Sequence, residues 1–137
     1  MIELIKVDKV FKSKKILENI SLKIDKAGIY TFVGDNGIGK TTLLNIINKS
    51  VKPSSGKVIN KHKNISFVSQ KVNLINHLTV KDHLDIYGIS CRCLTKFKLY
   101  NKINSYPSEL SLGQRQRVSV IIGLYSKSSL LILDEPT

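Results

Sequence analysis

Apolar and polar positions along this chain fall into blocks of two kinds. Residues 2–24 read as strands joined by a basic turn at Lys12-Ser13-Lys14-Lys15, an antiparallel β part. Gly28-Ile29-Tyr30-Thr31-Phe32-Val33 is a short apolar, β-branched and aromatic run, and it predicts a buried strand. Leu43, Leu44, Ile46 and Ile47 then share one face at helical spacing, with Lys49 in the last turn and Pro53 past the end. Further strands are expected up to residue 68. Over 79–104, Val80, Leu84 and Tyr87 recur near helical spacing and Gly88 stops the helix. Pro107 punctuates before a second helix carrying Val118, Ile121, Ile122 and Tyr125. Leu130-Leu131-Ile132-Leu133 predicts a buried parallel strand. The mixture is an α/β fold, and one domain is expected for 137 residues.

Between the predicted strand at 28–33 and the helix lies Gly34-Asp35-Asn36-Gly37-Ile38-Gly39-Lys40-Thr41, which fills every fixed position of G-x-x-x-x-G-K-[ST]. Glycines let backbone N–H groups crowd around a polyphosphate at a helix N-terminus. Lys40 reaches the outer phosphates, and the Thr41 hydroxyl is a ligand for Mg²⁺. The contact set extends to Thr42 in the first helical turn. The last predicted strand runs into Asp134 and Glu135, two carboxylates at the carboxyl edge of a parallel sheet, where ligands of such folds sit. Asp134 is suited to hold Mg²⁺ and Glu135 to orient or deprotonate a water.

Leu110-Ser111-Leu112-Gly113-Gln114, followed by Arg115-Gln116-Arg117, resembles the signature motif of ATP-binding cassette (ABC) proteins, and Asp134-Glu135-Pro136-Thr137 resembles that family's acidic motif. Ile16-Leu17-Glu18-Asn19-Ile20-Ser21, Lys52-Pro53-Ser54-Ser55-Gly56 and Phe67-Val68-Ser69-Gln70 resemble other family segments in family order. On these motifs the chain is identified as a member of the ABC ATPases, the ATP-binding subunit of a transporter. The resemblance implies a P-loop NTPase fold: a mixed sheet with an N-terminal antiparallel part and a short helical subdomain at about 71–110. Residues 1–137 would form a single, partial nucleotide-binding domain, incomplete at its C-terminus.

The resemblance also assigns roles. Phe11 takes the place of the ring that stacks on adenine, although a core Phe uses the same apolar character. Gln70 would contact the Mg²⁺–water cluster and sense a membrane permease. Ser111 and Gly113, with Gln114 beside them, would touch the ATP of a second cassette, and Ser111 is equally an ordinary N-cap. The implied cofactors are ATP and Mg²⁺, and the implied partners are a permease and a second cassette. The implied place is cytoplasmic, peripheral to the inner face of the cell membrane.

Three departures from the family pattern stand out. Leu112 occupies a position that is usually Gly, Ile121-Ile122 replaces a pair that is commonly Ala-Arg, and the span from Gln70 to Ser111 is short. The family's switch histidine follows the acidic motif, whereas His62, His77 and His83 all precede the signature. The chain is therefore expected to be part of a longer reading frame or a shortened product, with its nucleotide-binding residues largely in place. Leu130–Leu133 is then expected to form an exposed sheet edge.

Formal net charge is +12, mostly from lysine, which keeps open a cassette acting on ribosomes or DNA. A solvated lysine bias explains the charge without nucleic acid, which is not expected as a partner. A hydrolytically inactive, truncated remnant that binds nucleotide weakly or not at all is the third reading. No apolar stretch is long enough to span a bilayer. Cys91 and Cys93 form one C-x-C; His83 is the nearest further ligand and nothing completes a zinc set, so reduced thiols are expected.

Overall fold

The computed structural model describes residues 1–135, so Pro136 and Thr137 of the acidic motif lie outside the described residues. The chain forms two compact units, residues 1–63 and 64–137.

In the first unit, β1 (Ile2–Phe11) is the centre of a three-stranded antiparallel sheet, flanked by β2 (Lys14–Ile24) and β3 (Ser55–Asn60). The β1–β2 connection is the two-residue turn Lys12-Ser13, with Lys12 in the left-handed region at φ 54°, so the basic turn is where the sequence predicts it. Ile2, Leu4 and Val7 of β1 are buried. The register of β1 on β2 shifts between Leu4 and Val7, between Val7 and Lys9, and again between Lys9 and Val10. Lys6 (φ 47°) and Asn19 (φ 49°) take up these irregularities. Asp8 pins them. One of its carboxylate oxygens accepts from the Asn19 N–H at 2.8 Å, the other from the Ser55 hydroxyl at 2.6 Å, and Lys15 Nζ lies 3.7 Å away. One side chain thus ties all three strands together.

α1 (Lys40–Ile47) packs on β2 and β3 and buries Ile46 and Ile47. Asn48 caps it, and Lys49 takes the left-handed position after the cap at φ 66°. Lys49 therefore lies just past the helix and not in its last turn.

The run 28–33 does not become a strand: it joins no sheet among the described residues, and Ile29 and Val33 are 99% and 92% exposed. β-propensity is local, but a strand exists only where a neighbour completes its ladder, and here the propensity is unanswered.

In the second unit, β4 (Ile65–Val68) and β5 (Leu130–Leu133) pair in parallel, in register from Ile65↔Leu130 to Val68↔Leu133. Ile132 is the buried residue of β5 and Leu133 is exposed, and among the described residues β5 pairs with β4 alone. α2 (Val80–Ile86) starts at a capping box between Thr79 and Asp82 and stops at Gly88, φ 64°. Tyr87, which shares the helical spacing, is half exposed, and Ile89 fills the core in its stead. The short α3 (Cys93–Lys96) and two single 3₁₀ turns lead to α4 (Leu112–Tyr125). Val80, Leu84, Ile89, Leu94, Leu99, Leu110, Val118 and Ile121 form the core of this unit. α4 also lies against β4 and β5, so closely that a Cβ on Gly123 would stand 2.8 Å from Val68 Cγ2 and 2.9 Å from Leu131 Cδ1. Arg115 donates to the carbonyls of Pro107 and Leu110, and Arg117 to that of Phe97, which fixes α4 to the segments before it.

Candidate functional site

The first group of site residues is the loop at the start of α1. Gly37 (φ 83°) and Gly39 (φ 108°) both take left-handed backbone. At Gly39 glycine is required twice over: an added Cβ would lie 2.9 Å from Leu17 Cδ2 and 3.1 Å from the Ile16 carbonyl oxygen. The loop is thereby pressed onto β2. Gly39 is the helix N-cap and has no side chain to satisfy the first amides; Lys40, Thr41 and Thr42 follow as the first helical turn, which holds no acid. Gly34, Asp35, Asn36, Gly37 and Ile38 are exposed, and the turn is closed by the Ile38 N–H donating to the Asp35 carbonyl at 3.3 Å. Lys40 Nζ lies back over the loop, donating to the carbonyls of Gly34 at 2.8 Å and Asp35 at 3.0 Å. A helix N-terminus, glycine-permitted amides and an ammonium drawn over them form a donor set that fits a polyphosphate.

Phe11, at the end of β1, is 46% exposed and so is not a core side chain. The Lys9 ammonium sits 4.6 Å from the centroid of its ring. The loop and this ring share a frame, because Leu17, which meets Gly39, is the ladder partner of Lys9.

The second group lies in the other unit. Asp134, at the end of β5, is buried, and its N–H donates to the Val68 carbonyl at 2.9 Å, extending the β4–β5 ladder by one bond. Glu135 is exposed with φ 47°, a left-handed conformation that turns the chain at the strand end. Gln70, one residue past the Ser69 that follows β4, donates Nε2–H to Glu135 Oε2 at 2.9 Å. Two residues assigned separate roles from sequence thus touch directly.

Ser111 caps α4. Its hydroxyl accepts from the Gln114 N–H at 3.2 Å, and Gln114 Oε1 accepts from the Ser111 N–H at 2.8 Å. The Gln114 side chain is committed to this box. Leu112 is 66% exposed at the first helical position, and the space around Gly113 is open. His83, the nearest further ligand for the C-x-C, is buried with Nδ1 2.7 Å from the Thr79 carbonyl oxygen and Nε2 2.9 Å from the Ile75 nitrogen. Both ring nitrogens are spent on backbone. Burial pushes the Cys93 thiol above its ordinary pKa, which makes it less reactive.

Sequence reasoning missed the Lys9–Phe11 contact, although strand alternation puts residues two apart on one face. It also missed Asp8, a residue whose role emerges only from strand register.

A mixed α/β fold with a phosphate-type loop opening one helix and an acidic pair ending a parallel strand defines the P-loop NTPase class. Within that class, the family model described as "ABC transporter" matches residues 17–137, and the chain belongs to that family. It is 39% identical over its whole length to the zinc import ATP-binding protein ZnuC of Pasteurella multocida, covering 55% of that protein. It is 33% identical, again over its whole length, to the macrolide export ATP-binding/permease protein MacB of Campylobacter jejuni, covering 26% of it. Among solved structures it resembles, over 100% of this chain and 75% of that one, a dimeric ATP-binding cassette in a post-hydrolysis state bound to ADP and Pi, with TM-score 0.81 and 28% identity. The chain spans about half the length of curated relatives such as ZnuC, and 42% of the choline transport ATP-binding protein OpuBA of Bacillus subtilis. No helix among the described residues is long and apolar enough to cross a membrane.

Proposed function

We propose that this chain is the nucleotide-binding part of an ATP-driven transport subunit, working at the cytoplasmic face of a membrane through a permease. The observation that carries this reading is the loop from Gly34 to Thr42, with Gly39 locked in left-handed backbone and Lys40 drawn over it. The loop amides and Lys40 hold the outer phosphates of ATP, and Phe11 stacks on the adenine. Thr41 would be a Mg²⁺ ligand beside the phosphate loop, and the family resemblance gives Asp134 and Gln70 each a Mg²⁺ role as well. When bound, Mg²⁺ supplies charge compensation on the phosphate oxygens as the terminal P–O bond breaks.

Glu135 acts on the attacking water. It accepts a proton as the water oxygen bonds to the γ-phosphorus and ADP leaves with the bridging oxygen. Gln70 governs where that carboxylate points, through the bond it already makes. Ser111, Gly113 and the capped start of α4 serve the ATP of a second cassette, whose signature helix in turn serves this one. The relatives include an import protein and an export protein, so similarity alone assigns this chain neither a substrate nor a direction of transport.

The test is nucleotide-dependent stabilisation of the intact chain. Saturating Mg-ATP at about one hundred times Kd is expected to stabilise the fold by about 2.7 kcal/mol, read from the melting curve. A flat response to ATP, together with RNA or DNA binding that falls steeply with salt, contradicts the proposal.

A further inference from the structure

We infer that Lys9 is a positioning residue for purine nucleotide binding, acting through the ring of Phe11; this rests on the reading of Phe11 as the base-stacking ring. Lys9 Nζ is anchored from two sides. It lies 4.6 Å from the Phe11 ring centroid and donates to the Lys52 carbonyl at 2.8 Å. Lys9 itself is half buried while Phe11 is 46% exposed, so the ammonium sits over the ring and part of the ring's surface stays open to solvent.

A cation on the face of an aromatic ring is held by the ring quadrupole, and that contact fixes the ring's orientation. An exposed phenylalanine otherwise pays rotamer entropy when a base stacks on it, and a ring already fixed pays less. The strand register, by contrast, fixes where Phe11 stands along β1 relative to the phosphate loop. Leu17, the ladder partner of Lys9, is the residue against which Gly39 is pressed, and Phe11 is two residues further along β1 than Lys9. The ligand served by this arrangement is a nucleoside triphosphate. Lys9 is expected to matter for the base and not for the triphosphate.

The test measures the affinity of the intact chain for Mg-ATP and for Mg-bound inorganic tripolyphosphate. Lys9→Met is expected to weaken ATP binding by about two- to fivefold, the size of an exposed cation–π contact, and to leave tripolyphosphate binding unchanged. Lys9→Arg, which keeps a cation on the ring, restores ATP affinity. In a Phe11→Ala background Lys9→Met has no further effect. The inference is overturned if Lys9→Met binds ATP as well as or better than the parent, or if ATP and tripolyphosphate weaken together. Phe11→Ala separates the two layers. If it leaves ATP affinity unchanged, the stacking reading fails and takes the role of Lys9 with it. If it weakens ATP while Lys9→Met is silent, only the role of Lys9 fails.

Discussion

Gln70 and Glu135, 65 residues apart in sequence, are joined by a 2.9 Å hydrogen bond from the glutamine amide to the glutamate carboxylate. The bond links the residue proposed to sense the permease to the residue proposed to act on water. Glu135→Gln keeps an oxygen for Gln70 and removes the base. Nucleotide affinity is expected to stay within about twofold while hydrolysis falls by about 100-fold or more, as general-base removal requires. Phosphate release from the assembled ATPase measures this, and an unaltered rate removes Glu135 from catalysis.

Gly39 is the conformational keystone of the phosphate loop. Its φ of 108° and the 2.9 Å approach to Leu17 Cδ2 mean that Gly39→Ala is expected to cost about 1–3 kcal/mol from backbone strain and overpacking together. Denaturant unfolding measures the loss. A stability equal to the parent's contradicts the left-handed assignment.

The three-stranded sheet is expected to be acid-sensitive through Asp8. The Ser55 hydroxyl first, and the Asn19 N–H next, donate to its carboxylate and hold its pKa below the ordinary value. A depressed folded-state pKa gives stability that is complete above the unfolded-state value, about 3.9, and is lost as pH falls through the lower folded value. Asp82 acts in the same direction through Thr79. Asp8→Asn should therefore flatten part of the pH dependence below about pH 4, leaving the Asp82 part. Melting curves across that acid range are the measurement, and an identical pH profile in the variant sinks the argument.

Leu112 stands, 66% exposed, where the family pattern places glycine. If the start of α4 serves a second cassette, removing this side chain eases the approach. Leu112→Gly is expected to strengthen ATP-dependent dimerisation in a Glu135→Gln background while costing about 1 kcal/mol or less of fold stability from helix propensity. Sedimentation with and without ATP reads the first effect. Dimerisation that weakens or does not change shows that Leu112 is no obstacle.

What the sequence made legible were features whose physics is local. The glycine pattern at 34–41 places a phosphate-type loop ahead of a helix, and α1 starts at Lys40 with Gly37 and Gly39 in left-handed backbone. Ser111 reads as an N-cap and is one, its hydroxyl accepting from the Gln114 N–H. Leu130–Leu133 pairs in parallel with β4, as its apolar run implies. What stayed hidden depends on partners distant in the chain. The Gln70–Glu135 bond needs β4 and β5 side by side, and the bulged register around Asp8 needs all three strands. The run Gly28–Val33 is no strand for the same reason: residue preference marks a segment able to be a strand, and pairing decides whether it is one.

The central claim is that the loop from Gly34 to Thr42 holds the triphosphate of ATP, and titration calorimetry of the folded chain with Mg-ATP tests it most directly. The account predicts saturable one-to-one binding, lost in a Lys40→Ala variant whose circular dichroism matches the parent. No binding heat up to about 1 mM nucleotide, the weak end of ordinary enzyme–substrate concentrations, or equal affinity in Lys40→Ala, would contradict it.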